Sequence, residues 1–95
     1  SINEMVVSII GKERLQVGYP RTYSVTFTDK QGNAIDDISF TWGVLSDFDV
    51  EQSIKDNSMT INIQDDDLVG KSFSIQVLVN GSVITSKEIS IVEDF

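Results

Sequence analysis

The chain of 95 residues has no cysteine and no histidine. Thiolate and imidazole metal sites are therefore excluded, and so are Ser-His-Asp and Cys-His catalysis. Basic residues are scarce, 7 against 15 acidic ones, for a formal net charge of -8. A phosphate backbone is recognised by clustered Lys and Arg, so nucleic acid is not an expected partner. Strong helix formers are also few, with one Ala and four Leu. No apolar run approaches the ~20 residues that span a bilayer, so membrane insertion is not expected. The first residues, Ser1 to Met5, lack the basic-then-apolar order of a secretory signal. The length suits one domain, 1–95, and the missing initiator Met leads to the expectation that it is cut from a larger protein or is a trimmed product.

What the chain has in quantity is β-branched residues: 12 Ile, 11 Val and 6 Thr. Such side chains lose rotamer freedom in helices and fit a pleated surface. The 40% hydrophobic fraction is sufficient for a packed core. Apolar residues recur at every second position. Tyr23, Val25 and Phe27 alternate with Ser24, Thr26 and Thr28, and Phe73, Ile75, Val77 and Val79 alternate with Ser74, Gln76 and Leu78. Half-buried strands of this kind belong to antiparallel sheets with one wet face. Turn chemistry separates the runs at Gly18-Tyr19-Pro20, Asp29 to Asn33, Lys55 to Ser58 and Asn80-Gly81. Asn-Gly is the strongest hairpin signal, because a two-residue type I′ turn needs positive φ at both positions. The pattern predicts seven strands: 3–10 with 14–17 as one interrupted strand, then 21–28, 38–45, 48–54, 59–64, 71–79 and 82–92. Seven short strands in this length predict an antiparallel β-sandwich.

Several segments resemble bacterial Ig-like domains. They are Ile9-Ile10-Gly11, Leu15-Gln16-Val17-Gly18, the alternating Tyr23 to Phe27, Phe40-Thr41-Trp42 and the ending Ile89 to Val92. Ser58 to Ile63 and Asp65 to Phe73 look like Ig-like domains in structural proteins of tailed phages and prophages of Gram-positive bacteria. The Gly-rich, Ala-Thr-containing stretch of the commonest bacterial pattern is missing. The resemblance implies an immunoglobulin-like fold with Val25 and Ile75 in place of the core cysteines, and Trp42 between them. Phe73 joins this core set. It also implies a non-catalytic module that spaces neighbouring domains of a parent protein or binds host cell-surface polysaccharide. Such modules sit on a virion or on a bacterial surface after synthesis in the cytoplasm.

Carboxylates are the only reactive groups in number. Alternating strand directions place the turns at 18–20, 45–47 and 65–70 at one pole, which gathers Asp47, Asp65, Asp66 and Asp67. Converging carboxylates supply the oxygen ligands calcium requires, so these four are calcium candidates, and the alternative reading of the domain is a carbohydrate- or calcium-binding β-sandwich with its ligand at this acidic pole. The spacing is not that of an EF-hand. The competing reading is a solvated loop in which Asp66 or Asp67 anchors the turn and Gly70 takes positive φ. A paired-carboxylate glycosidase is not expected, because an exposed turn offers no apolar pocket to raise one pKa. Gly11 and Gly18 lack phosphate-loop spacing and read as bulge or turn glycines. Tyr19, beside Pro20, is a surface-contact candidate for a glycan or protein. Phe95 reads as a terminal aromatic. The charged run Lys12-Glu13-Arg14 and the pair Lys87-Glu88 read as edge protection, so the isolated domain is expected to be a monomer.

Overall fold

The computed structural model describes residues 5–93. Eight strands form two four-stranded sheets: β1 Val6–Ile10, β2 Arg14–Gln16, β3 Arg21–Thr28, β4 Thr41–Leu45, β5 Glu51–Lys55, β6 Ser58–Asn62, β7 Ser72–Val79 and β8 Ser82–Val92. A 3-10 turn, Asp66–Leu68, precedes β7. One sheet runs β1-β3-β6-β5 and the other β2-β8-β7-β4. All neighbours are antiparallel except β2 and β8, which pair in parallel from Arg14↔Ser90 to Gln16↔Val92. No helix among the described residues is long and apolar enough to cross a membrane.

The predicted interrupted strand is an exchange between sheets. β1 pairs with β3, and after three residues the chain continues as β2 against β8. Gly11, at φ 153°, makes the crossing, and a Cβ there would lie 2.2 Å from Cδ2 of Tyr23. Only glycine allows the backbone that close to the ring. The Tyr23 hydroxyl then donates to the Lys12 carbonyl at 2.7 Å, and the Glu13 carbonyl accepts from Ser90 N at 2.8 Å. Residues 3 and 4 of the predicted first strand lie outside the described residues.

The turns follow their residues. Val79↔Ser82 encloses Asn80-Gly81 at φ 52° and 80°, a two-residue hairpin with positive φ at both positions. Lys55↔Ser58 encloses Asp56-Asn57 at φ 52° and 69°, a second hairpin of the same kind. Two strands are shorter than predicted. The strand expected over 38–45 starts at Thr41, after Asp37 turns to φ 64°. The one expected over 48–54 starts at Glu51, because the Ser46 hydroxyl bonds both the N–H and the carbonyl of Phe48 and curls the chain.

The core lies between the sheets. Leu15, Tyr23, Met59, Ile61, Ile75, Val77, Ile89 and Ile91 are all fully buried. Each contributes on the order of 2 kcal/mol through removal of apolar surface from water. The core is displaced toward the pole where Leu15 of β2 and Val17 just after it are buried. At the other end Val25, Phe27, Phe40, Trp42 and Ile84 are half-buried and pack against its flank. Of the four expected core residues, Ile75 and Phe73 lie in the buried cluster. Val25 and Trp42 lie on its edge, and Tyr23 occupies the deeper place on β3.

The overall extents are 43 × 25 × 22 Å. An 11-residue strand such as β8 is roughly 36 Å long, so the long axis follows the strands. Val6 pairs with Thr28 at one pole, and Val92 pairs with Gln16 at the other. The described chain therefore enters and leaves at opposite ends of the sandwich.

Candidate functional site

The acidic pole forms around the end of β6. Gly18 N donates to the Ile63 carbonyl at 2.8 Å, and Gly70 N donates to the Ile91 carbonyl at 3.0 Å. These bonds tie the 18–20 turn and the 65–70 turn to the same end. An open hollow of about 600 Å³ lies there, lined by Phe48, Asp49, Glu51, Asn62, Asp65 and Leu68 among others. Phe48 stands edge-on to Phe73, with ring centroids 6.2 Å apart, and walls one side. Glu51 Oε2 accepts from Asn62 Nδ2 at 2.9 Å.

The four calcium candidates are not brought together as a ligand set. Only Asp65 of the four lines this hollow, beside Asp49 and Glu51. No three carboxylates among the described residues are placed to hold a metal ion. The reason is local geometry. Asp65 Oδ1 accepts from Asp67 N at 2.9 Å and caps the 3-10 turn, which leaves Asp66 and Asp67 in its first turn, facing solvent. Asp47 is exposed on the neighbouring loop. The turn anchor is thus Asp65, in place of the expected Asp66 or Asp67, since the short side chain that precedes the turn is the one able to cap it. Gly70 takes φ 89°, as its place in the corner requires.

At the opposite pole Asp29 organises a loop in the same way. Its Oδ1 accepts from Gln31 N and Asn33 N, both at 2.9 Å, and Oδ2 accepts from Asn33 Nδ2 at 3.2 Å. The backbone bond from Asn33 is the main cause of a carboxyl pKa below the ordinary value. Trp42 faces this pole. Its indole N–H donates to the Asn57 carbonyl at 3.1 Å, and its ring meets Phe40 edge-on at 5.9 Å. Tyr19 is 46% exposed, with its backbone N–H bonded to the Gln16 carbonyl.

A second hollow, of about 580 Å³, opens at the crossing between the sheets. It is lined by Gly11, Lys12, Glu13, Arg14, Arg21 and Lys87 among others. The sequence scatters these charges over 76 positions; the local pattern implies edge protection for Lys12, Glu13, Arg14 and Lys87 and nothing for Arg21. The retrievable signal was period two. Arg21 pairs with Ile61 and Lys87 with Ile75, so both cations occupy positions whose partners face the core.

Comparison with known proteins places this architecture. No protein-family profile and no curated protein matches the chain. Solved structures do. The Lin-41 filamin domain superposes with a TM-score of 0.57 at 17% identity, over 90% of each chain. The fold is immunoglobulin-like. An Escherichia coli adhesin, FdeC, matches over 99% of this chain with a TM-score of 0.58 at 20% identity. The chain spans 32% of the length of that adhesin structure. The ZirS C-terminal domain matches over 100% of this chain and 68% of its own, with a TM-score of 0.60 at 20% identity. At such identities the likeness is one of fold.

Proposed function

We propose that this domain is a non-catalytic Ig-like module of a bacterial surface protein or a phage virion, serving as a spacer or a weak adhesion domain. The observation that carries the reading is the match of the whole chain to one part of a longer adhesin. Function does not follow from fold alone, and two features of this chain support the assignment. Its first and last described strands, β1 and β8, begin and end at opposite poles, the geometry that lets modules follow one another in a line. The segments Ser58 to Ile63 and Asp65 to Phe73 carry the resemblance to phage Ig-like domains, and they build β6 and the corner before β7. Exposed Tyr19 then offers a rigid aromatic contact beside the acidic pole.

Immunogold labelling tests this, with an antibody raised against the domain. Producing cells and particles induced from them are both stained. Label on the cell or particle surface is the expected result. Label confined to the cytosol overturns the reading, and hydrolytic turnover of glycan substrates by the purified domain does the same.

A further inference from the structure

The hollow at the sheet crossing concentrates positive charge in an acidic molecule. Four of the seven cations of the chain line it, against one carboxylate, Glu13. Two of those cations come from core-facing positions of different sheets, Arg21 on β3 and Lys87 on β8. Charged groups in such places require a partner, because leaving water without one costs free energy. Lys87 has its ammonium 3.8 Å from Glu13, a carboxylate whose side chain is 78% exposed. An exposed pair at that distance holds little energy. Arg21 is less well served. Its Nε is buried and has no acceptor among the described residues.

We propose that this hollow binds a dianionic phosphate group, inorganic or esterified to a small molecule. Guanidinium groups present paired donors that match phosphate oxygens, and Arg14 and Arg21 supply two of them, with Lys12 and Lys87 as point charges. The local surplus of three positive charges favours a dianion over a carboxylate, which carries half the charge. The volume is within the range of small-molecule clefts. The net charge of -8 repels a long polyanion, whereas a single phosphate group is screened from distant carboxylates beyond a Debye length of about 8–10 Å. The crossing itself is rigid, since Gly11 lies on the Tyr23 ring and the Tyr23 hydroxyl holds Lys12. The inference does not depend on the surface-module reading.

The test is an amide chemical-shift titration of the domain at physiological ionic strength, where the Debye length is about 8 Å. Inorganic phosphate, glycerol 3-phosphate and acetate are added separately. Saturable shifts confined to Gly11 to Arg14, Arg21 and Lys87 are expected with the first two, and at least tenfold weaker binding with acetate. Equal response to glycerol 3-phosphate and inorganic phosphate marks esters as ligands, and preference for the inorganic ion marks free phosphate. Arg21→Gln is expected to weaken binding at least tenfold. Arg14→Gln, at an exposed position that leaves folding intact, is expected to weaken it several-fold and repeats the test if Arg21→Gln unfolds. Absence of saturation, equal binding of acetate, shifts spread equally over Lys30, Lys55 and Lys71, or unchanged binding in a folded variant overturns the proposal.

Discussion

Tyr23 packs its ring beneath Gly11 and donates its hydroxyl to the Lys12 carbonyl, fully buried in the process. Burial disfavours the phenolate and pushes its pKa up to about 12, a rise the nearby Arg21 charge partly opposes. A raised pKa means that the folded state holds its proton more tightly than the unfolded state. The stabilisation is complete below about pH 10, the ordinary tyrosine value, and is lost as pH rises toward 12. The loss is on the order of 2 kcal/mol. Urea midpoints measured across this range are expected to fall. In a Tyr19→Phe variant, with Tyr23 the sole tyrosine, absorbance at the phenolate band should rise only near the upper end. Ionisation complete near pH 10 would contradict the burial. Tyr23 and Val25 look equivalent in the sequence, since both lie on the apolar phase of one strand. Burial ranks them differently because β2 covers one end of the sandwich and no strand covers the other to the same depth.

Strand periods and turns were legible from residue order because both depend on local chemistry. Period two, positive φ at Asn80-Gly81 and the charged interruption between β1 and β2 need no knowledge of distant partners. The meaning of that interruption did need it. A break within one strand and an exchange between sheets look the same in the sequence, and the difference lies in pairing with β8, some 76 residues away from β2. The exchange rests on Gly11. Gly11→Ala forces a Cβ into the Tyr23 ring and strains a backbone at φ 153°. The expected loss is on the order of 2 kcal/mol, from the range for overpacked sites. Denaturant unfolding of the variant measures it, and an unchanged midpoint would show that ring and backbone do not meet. The same contrast holds at the acidic pole. Residue order predicted that the aspartates share one end, but capping by Asp65 turned two of its neighbours toward water and dispersed the ligand set.

The whole molecule is a sandwich with unlike charges in different places: carboxylates at both poles, Asp49, Glu51 and Asp65 around one hollow, and four cations at the sheet crossing. A net charge of -8 on a domain this small opposes the compact state by self-repulsion. Raising ionic strength from low millimolar to physiological values is therefore expected to raise the melting temperature, as screening shortens the reach of that repulsion. Calorimetry at the two ionic strengths, with a fluoride or chloride salt to avoid phosphate, checks this. A fall in melting temperature would mean that attractive pairs dominate over the repulsion expected from the net charge.

Residue order alone determined the class of fold, the position of nearly every strand and the exclusion of thiolate and imidazole chemistry. These follow from composition and from periods shorter than a strand, which act locally. Tertiary structure decided which apolar residues form the centre, which aspartate anchors the corner and where the scarce cations meet. Those outcomes depend on which surfaces cover one another across two sheets. The missing cysteines and histidines say what the domain cannot do. The crossing of β1 into β2 brings together what the linear sequence keeps apart.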